Sequence, residues 1–282
     1  MTAVPAAALA AVAAARVTMV IGGNDTGKTT LVTQLASELA RRGHTIGVID
    51  ADLGQSDVGP PTTVGLGRVR APIERLAQAE IVALEFLGVT SPARCMHQAA
   101  DVIARLSLHA LRTGCDRLLV DTCGLVDGDL GRALKRIKIE RVAPDLVVAL
   151  QRADECEAIL GAYAGAGRPA IVRLPAAATT PRSAAARRRQ RERLLAEHLT
   201  GAVPAVFDLT QFEVRSVPWG RGLAVVDLVG MLVGLDGRAG WTLGLGCVSA
   251  VDIAKARLII DTALDPTRVS ALAIGRERFP RA

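Results

Sequence analysis

The sequence has 282 residues, half of them apolar and 22% charged, which is enough for a full α/β core and a small additional domain. Charges are spread along the chain and no apolar run approaches the roughly 20 residues of a membrane span, which argues against an integral membrane protein. The formal net charge of +6 suits a polyanionic partner, but charge alone favours nucleic acid only weakly.

The cysteines and the N-terminal segment bear on the compartment. Five cysteines, an odd number without a C-x-x-C pair, are typical of a reducing, cytoplasmic compartment and predict no structural zinc. The Ala-rich residues 4–12 lack a positively charged start, so they predict an N-terminal helix or a frayed end rather than a signal peptide.

Residues 22–30 match the phosphate-loop pattern G-x-x-x-x-G-K-[ST]. Apolar and β-branched residues precede the motif and an amphipathic run follows it, so the context is strand, loop and helix. The glycines let backbone N–H groups converge on phosphate oxygens, and the helix that follows directs its positive dipole end at the same anions. Lys28 is expected to reach the β- and γ-phosphates of ATP, and Thr29 to bind Mg²⁺. The predicted cofactor-binding residues are Gly22, Gly23, Asn24, Asp25, Thr26, Gly27, Lys28, Thr29 and Thr30.

Strand and helix signals alternate up to about residue 200, which predicts an α/β fold of the phosphate-loop NTPase type, with a mostly parallel sheet covered by helices on both faces. The strands are nearly continuous apolar runs, as expected where both faces are covered. Strands are predicted at residues 17–22, 45–50, 81–87, 117–121, 145–150 and 170–174, and helices at 29–42, 92–113, 130–141 and 153–164. Ligands of such sheets bind at the carboxyl ends of the strands, where the motifs of this chain also fall.

Two carboxylates follow the second predicted strand, in the stretch Asp-Ala-Asp-Leu-Gly-Gln at residues 50–55. Asp50 and Asp52 point the same way if the strand continues that far. Phosphoryl transfer with magnesium needs a carboxylate for the metal and a group that orients or deprotonates the nucleophile, and this pair can supply both. Turn chemistry before Gly54 is the simpler alternative. Gln55 is a candidate to hold a hydroxyl or a water.

The fourth predicted strand ends in Val-Asp-Thr-Cys-Gly at residues 120–124. Apolar residues followed by aspartate are the second metal-side signature of phosphate-loop NTPases, so Asp121 is expected to bind Mg²⁺ through water. Thr122 and Gly124 are expected to bring backbone close to the transferred phosphate or the acceptor. Cys123 is expected to be inert, because nothing beside it requires a nucleophile.

Six arginines fall within residues 182–193. On a helix, Arg187 and Arg191 share one face, with Arg182 near its start. Residues 175–182 are rich in Ala and Thr between two prolines, so we predict a hinge that leads into a basic lid beside the phosphate site. The alternative is a solvated surface helix.

From about residue 203 the pattern changes to short apolar segments separated by glycines, which predicts a small β-rich C-terminal domain. The predicted domains are therefore residues 1–202, with the lid at about 176–200, and residues 203–282. The glycines are Gly220, Gly222, Gly230, Gly234, Gly237, Gly240, Gly244 and Gly246.

Together these motifs resemble the polynucleotide 5′-hydroxyl kinase family, the RNA-processing kinases related to the kinase subunit of pre-mRNA cleavage factor II and to the ribosomal-RNA-processing kinases. Each stretch is weak alone, but five occur in family order. They are the phosphate loop, residues 50–55 with the Gly-Pro-Pro-Thr continuation at 59–62, Gly-Val-Thr-Ser-Pro at 88–92, Asp-Thr-Cys-Gly-Leu at 121–125, and the lid arginines at 182, 187 and 191. Residues 234–246 are also similar to the family's small C-terminal domain.

The resemblance implies transfer of the γ-phosphate of ATP to the 5′-hydroxyl of RNA, and often DNA, with ATP and Mg²⁺ as cofactors. The implied partner is single-stranded or end-exposed RNA or DNA, with no membrane, and the sequence leaves protein partners open. Lys28 then binds the phosphates, Asp52 is the general base, and Arg187 and Arg191 close over ATP with support from Arg182. The implied acceptor-binding residues are Asp50, Gln55 and the four residues of the clasp, which are Thr122, Cys123, Gly124 and Leu125.

Two departures from the family pattern change the expectation. The family commonly has Trp where this chain has Leu125, and an aromatic ring there could stack on a base, worth ~1–3 kcal/mol. The chain has only two Trp, one Tyr and four Phe, so we predict weak, sequence-tolerant binding dominated by backbone contacts. The sequence also begins close to the phosphate loop, so the additional N-terminal domain of larger relatives is expected to be absent.

Three other readings stay open. A regulatory GTPase or assembly ATPase is suggested by Asp-Thr-Cys-Gly at 121–124, which resembles a D-x-x-G switch. Gln151 and Arg152 do not fit a guanine-reading N-K-x-D motif, and Asp154 is instead explained as a helix N-cap. A catalytically silent nucleic-acid scaffold is disfavoured by intact Lys28 and Asp52. A small-molecule kinase is excluded less firmly.

Overall fold

The computed structural model describes residues 4–177, 180–216 and 225–279. The helices are α1 (Ala6–Ala14), α2 (Lys28–Arg41), α3 (Met96–Arg112), α4 (Gly128–Val142), α5 (Glu157–Leu160) and α6 (Ala184–His198). The strands are β1 (Val17–Gly22), β2 (Ile46–Ala51), β3 (Thr63–Val69), β4 (Glu80–Phe86), β5 (Arg117–Thr122), β6 (Leu146–Gln151), β7 (Ala170–Pro175), β8 (Val203–Asp208), β9 (Glu213–Ser216), β10 (Met231–Gly237), β11 (Thr242–Asp252), β12 (Arg257–Thr262) and β13 (Val269–Arg278).

The first seven strands form one sheet in the order β4-β3-β2-β5-β1-β6-β7. Strands β2, β5, β1, β6 and β7 are parallel to one another, which confirms the mostly parallel sheet. Their carboxyl ends meet at one edge, and the register places Asp50 directly beside Asp121. This edge therefore gathers the phosphate loop after β1, the loop at residues 52–62 after β2, here called the carboxylate loop, and the clasp at the end of β5.

Helices cover both faces of this sheet, as predicted. One apolar core contains side chains of α1 and α2, such as Leu9 and Leu39, packed against Val48. The other contains side chains of α3 and α4, such as Leu106 and Ile139, packed against Val120. Burial on both faces explains why these strands read as continuous apolar runs in the sequence.

The structure corrects two predicted features of this sheet. Strand β3 was not predicted, and it pairs antiparallel with both β2 and β4. The predicted helix at residues 153–164 is instead a turn, the short α5 and one turn of 3₁₀-helix at Gly161–Tyr163. Its N-cap is Cys156 rather than Asp154, because Asp154 lies in the preceding turn and uses only its carbonyl to accept the N–H of Glu157.

The predicted N-terminal helix is confirmed as α1. The five cysteines are all free and buried. Within the described parts of the chain, no helix is both long enough and apolar enough to cross a membrane.

A second sheet, with the order β8-β12-β11-β10-β13-β9, forms the predicted β-rich C-terminal domain. All its neighbours are antiparallel except β13 and β9, and Phe207 and Leu272 lie in its own core. The predicted glycines Gly220 and Gly222 lie outside the described residues.

The two sheets are held together near the site edge. Phe86 at the end of β4, Leu195 of α6 and Leu232 of β10 share one buried cluster. The N–H and hydroxyl of Thr90 both donate to the Glu277 carboxylate of β13, at 3.1 and 3.0 Å. The C-terminal sheet therefore contacts both the loop after β4 and the base of the lid helix.

Candidate active site

The phosphate loop connects β1 to α2. Gly22 is required there, because a Cβ would lie 2.2 Å from the Leu150 carbonyl oxygen. Gly27 caps α2 with a φ of 91°, in the left-handed region that favours glycine. The Lys28 ammonium donates to the Gly23 carbonyl at 2.6 Å, so this side chain lies folded along its own loop. The predicted cradle for phosphates is thus present, with the N-terminus of a 14-residue helix behind it.

The predicted metal pair lies side by side. The Thr29 hydroxyl donates to Asp121 Oδ2 at 2.6 Å, and Asp121 Oδ1 is buried without a hydrogen-bond partner among the described residues. Burial raises the pKa of Asp121 to about 6, opposed by the Thr29 hydrogen bond and the Lys28 charge. A hydroxyl and a buried carboxylate oxygen beside a phosphate cradle are donors that suit Mg²⁺.

Asp50 does not reach the cleft surface, which corrects its predicted place in an acceptor site. Strand β2 ends at Ala51, so Asp50 and Asp52 do not form the expected pair on one strand face. Asp50 is 2% exposed, and its carboxylate accepts the N–H groups of Asp52, Asp57 and Val58. Burial and the neighbouring Asp121 raise its pKa well above the ordinary value. The side chain holds the carboxylate loop in shape from below.

Asp52 and Gln55 lie on that loop and line the cleft. Asp52 Oδ1 accepts the N–H groups of Gly54 and Gln55 at 3.0 and 3.1 Å. This oxygen therefore stabilises the turn at Gly54, which was the alternative role predicted from the sequence. Gln55 Nε2 donates to the carbonyls of Gly54 and Arg187. Gln55 therefore connects the carboxylate loop to the lid helix.

The clasp divides into two parts. Thr122 and Gly124 line the cleft, whereas Cys123 is buried and neither Cys123 nor Leu125 is among the residues that line it. This corrects the prediction that all four residues face the acceptor. Gly124 has no room for a side chain, since a Cβ would lie 2.6 Å from the Asn24 Cα. The clasp is thus packed directly on the phosphate loop.

Two lysines under the clasp were missed by the sequence analysis. Lys135 and Lys138 of α4 are both fully buried, on the same helix face as Leu134 and Ile139. The sequence signal was available, because these positions recur at the i, i+3, i+4 spacing of a buried helix face. Lysine is almost never fully buried without a partner, and the Lys135 ammonium donates to the Thr122 hydroxyl at 2.9 Å and to the Cys123 carbonyl.

The buried Lys135 should make stability depend on pH. Burial lowers the pKa of Lys135 from 10.5 to about 8. Below the pKa of the folded state, the amine is charged in both the folded and the unfolded chain, so the full free-energy cost of burying the charge is present. Between the two values the unfolded chain binds the proton that the folded chain has released, so stability rises with pH. Urea titrations should show wild type gaining roughly 1–2 kcal/mol relative to Lys135→Met between about pH 7 and 9.5. Parallel stability curves for the two proteins would show that this group is not buried as a charge.

The arginine segment lies over the phosphate loop as a helical lid. Arg182, just before the Ser183 N-cap of α6, and Arg187 both form ion pairs with Asp25, at 3.0 and 2.9 Å. Burial raises the pKa of Asp25, but the stronger effect of hydrogen bonds and charge from these arginines holds it below the ordinary value. Arg191 lies farther along the helix, near Gly54 of the carboxylate loop. Asp25, predicted to bind the cofactor, is thus the lid's partner in this state.

The predicted hinge at residues 175–182 is described only in part, since residues 178 and 179 lie outside the described residues. The other members of the arginine run are solvated. Arg188 and Arg193 form ion pairs with glutamates of the same helix, Glu192 and Glu197.

The segment at residues 150–154, which does not fit a guanine-reading motif in sequence, contacts the phosphate loop. The Arg152 guanidinium donates to the carbonyls of Asn24 and Asp25, at 3.2 and 2.7 Å, while Gln151 bonds the Glu157 carboxylate. Both side chains hydrogen-bond to groups of the protein itself, so the geometry gives no support to a role in reading a guanine base.

These elements enclose one cleft of about 320 Å³. The phosphate loop and the start of α2 form its floor, the carboxylate loop and the clasp form two walls, and the lid helix forms a third. The side chains that face it include Lys28, Thr29, Asp52, Thr122, Arg182 and Arg187. Most of the predicted donor, acceptor and lid residues therefore meet at this cleft. The predicted site residues that do not line it are Gly22, Gly23, Thr26, Asp50, Asp121, Cys123, Leu125 and Arg191.

Comparisons with known proteins agree with this fold. At the level of structure, the chain is similar to Clp1p in its complex with Pcf11p, with a TM-score of 0.69 at 14% identity, covering 93% of this chain and 74% of that one. A likeness at this identity concerns the fold, and it extends over the second sheet as well.

Sequence relatives match about half of this chain or somewhat less. A polyribonucleotide 5′-hydroxyl-kinase of Thermococcus kodakarensis is 39% identical over 132 residues, which are 47% of this chain and 37% of the relative. One from Pyrococcus abyssi is 39% identical over 145 residues, 51% of this chain and 40% of the relative. Clp1 of Xenopus tropicalis is 31% identical over 126 residues, 41% of this chain and 29% of the relative. The matched stretch thus spans less than half of the length of each relative.

The family model described as mRNA cleavage and polyadenylation factor CLP1 P-loop matches residues 22–201. These residues include the phosphate loop, the carboxylate loop, the clasp and the lid. The resemblance inferred from the motifs is confirmed: the chain belongs to the CLP1 P-loop family.

Proposed function

We propose that this protein is a polynucleotide 5′-hydroxyl kinase, which transfers the γ-phosphate of ATP to the 5′-hydroxyl end of RNA, with DNA as a second acceptor to be tested. The observation that carries the proposal is the convergence of a phosphate loop, the Asp52 carboxylate, the clasp and a lid arginine on one cleft. A switch NTPase needs the first of these, but a kinase also needs a base and a place for the acceptor.

The donor side follows from the phosphate loop. Backbone N–H groups of the loop and the Lys28 ammonium would bind the phosphates of ATP, once Lys28 leaves the Gly23 carbonyl. Thr29 and Asp121 would hold Mg²⁺, which when bound neutralises charge on the β- and γ-phosphate oxygens. Arg187 would exchange Asp25 for the transferred phosphoryl group, with Arg182 and Arg191 in support.

The acceptor side follows from the carboxylate loop. Asp52 accepts the proton of the 5′-hydroxyl as the 5′-oxygen bonds to the γ-phosphorus and the bond to the β-γ bridging oxygen breaks, which releases ADP. The Asp52 oxygen that does not hold the turn is the one available for this proton. A general base in this position contributes about 10²–10⁴-fold in rate. Thr122 and Gly124 would support the acceptor from the opposite wall.

Three further points belong to the proposal. The relatives' printed names refer to polyribonucleotides, so RNA is the first substrate to test. A cytoplasmic location fits the free, buried cysteines. We place the boundary between the kinase domain and the C-terminal domain at residues 202 and 203, just before β8.

Transfer of labelled γ-phosphate tests the proposal. With Mg²⁺ and 5′-hydroxyl RNA or DNA oligonucleotides, wild type should label the oligonucleotide from ATP, with GTP as the donor control. Lys28→Ala should reduce labelling by about 10³-fold or more, since it removes a charge that meets the phosphates. Lys255→Ala, at an exposed lysine of the C-terminal sheet, should leave the rate unchanged.

Two results would overturn the proposal in different ways. Release of free phosphate without a labelled oligonucleotide would favour a switch-type NTPase. Labelling of a nucleoside or another small hydroxyl compound in preference to oligonucleotides would favour a small-molecule kinase.

A further inference from the structure

The two buried lysines of α4 form the most unusual charge arrangement outside the ATP-facing surface. Both are 0% exposed, and burying an ammonium group is costly unless it is paired and hydrogen-bonded. Among the described residues their hydrogen-bond partners are a hydroxyl, a thiol and backbone carbonyls rather than carboxylates. Because burying two such charges is costly, we expect their contacts to have a role in the protein.

Lys135 and Lys138 have different contacts, although they lie one turn apart. Lys135 Nζ donates to the Thr122 hydroxyl and to the Cys123 carbonyl, and it lies 3.7 Å from Cys123 Sγ. The Thr122 hydroxyl in turn donates to the Val20 carbonyl of β1 at 2.8 Å. Lys138 instead makes a long contact of 3.4 Å with the Ala51 carbonyl. Of these two lysines, only Lys135 hydrogen-bonds to the clasp.

The bond to the Cys123 carbonyl fixes the direction of the next N–H. In a planar trans peptide the C=O of one residue and the N–H of the following residue point in opposite directions. The Cys123 oxygen points inward to Lys135, so the Gly124 N–H points away from the buried ammonium. Gly124 lines the cleft and is packed against Asn24 of the phosphate loop.

We propose that Lys135 is a positioning residue of the acceptor site: its ammonium group holds the Cys123–Gly124 peptide so that the Gly124 N–H donates to a phosphate oxygen of the bound polynucleotide. This inference rests on the proposed kinase function for the identity of the ligand. It also supplies a backbone contact to the acceptor in a chain that has Leu125 at the position where an aromatic ring could stack on a base.

The peptide orientation can be tested without a substrate. Hydrogen exchange followed by mass spectrometry should show the peptide that covers residues 120–126 exchanging about tenfold faster in Lys135→Met than in wild type. Lys138→Met is the matched control, since it removes an equally buried ammonium from the same helix. It should leave exchange of this peptide within about twofold of wild type.

Steady-state kinetics test the consequence for the acceptor. Lys135→Met should raise the KM for a 5′-hydroxyl oligonucleotide about tenfold and leave the KM for ATP within about twofold. Thr122→Val, which removes one of the three groups that Lys135 contacts, should shift exchange and acceptor KM in the same direction by less. This second variant keeps the test decisive if Lys135→Met does not fold.

The two proposals fail in distinguishable ways. If wild type transfers no phosphate to oligonucleotides, the kinase function falls, while the exchange comparison still decides whether Lys135 holds the clasp. Unchanged exchange at residues 120–126 in both Lys135→Met and Thr122→Val would overturn the positioning role. Equal rises in the two KM values, or the same effects in Lys138→Met, would show a general loss of structure and would overturn it as well.

Discussion

Replacing Asp52 with asparagine should lower the kcat of transfer to a 5′-hydroxyl by about 10²–10⁴-fold and leave nucleotide affinity nearly unchanged. The substitution is chosen because the loop should keep its shape. Asparagine Oδ1 can still accept the N–H groups of Gly54 and Gln55, as Asp52 Oδ1 does now. The other oxygen becomes an amide NH₂, which cannot accept a proton from the acceptor.

The matched control for this prediction is Asp57→Asn. Asp57 also lines the cleft, but only its backbone N–H contributes to the carboxylate loop, through the bond to Asp50. Its loss should change kcat by less than about threefold. A near-normal turnover in Asp52→Asn, with labelled oligonucleotide as product, would contradict the assignment of Asp52 as the base.

The second large effect is expected at the lid. Arg187→Ala should lower kcat by about 10³-fold or more, because an arginine that neutralises the transferred phosphoryl group contributes on this scale. Arg187 faces the cleft and lies 2.9 Å from Asp25. Its guanidinium therefore lies directly over the loop that would bind the phosphates.

The lid prediction is checked by measuring kcat and the dissociation constant of ATP side by side. Arg187→Lys should recover only part of the rate, since an ammonium lacks the planar fork that matches phosphate oxygens. Arg189→Ala is the control, because it removes an exposed arginine from the same helix. Equal losses in Arg187→Ala and Arg189→Ala would mean that the lid acts through its net charge rather than through one guanidinium.

The first domain was largely readable from local patterns, and its one missed strand has a physical explanation. Strand β3 contains Gly65 and Gly67, which weaken the strand signal of its sequence. Gly65 is needed because a Cβ would lie 1.9 Å from the Val58 carbonyl oxygen. The loop that carries Asp52 packs directly on this strand. This close contact requires glycine, and glycine weakens the sequence pattern by which a strand is predicted.

The donor half of the site was predicted better than its supports. Lys28, Thr29 and Asp121 follow from a short motif and one strand end, and the structure brings them together. The roles of Asp50 and Lys135 could not be read in the same way, because both are charged residues whose burial is decided by tertiary packing. Likewise, the ion pairs from Asp25 to the lid join residues more than 150 positions apart, so no local sequence pattern could predict them.

One pair of oligonucleotides tests the central claim most directly. Two RNA oligonucleotides of the same sequence, one ending in a 5′-hydroxyl and the other already carrying a 5′-phosphate, would be incubated with Mg²⁺ and labelled ATP. The kinase account predicts label on the first and none on the second, with the label lost in Lys28→Ala. Equal labelling of both, or hydrolysis of ATP at the same rate with and without either oligonucleotide and no labelled RNA, would contradict it.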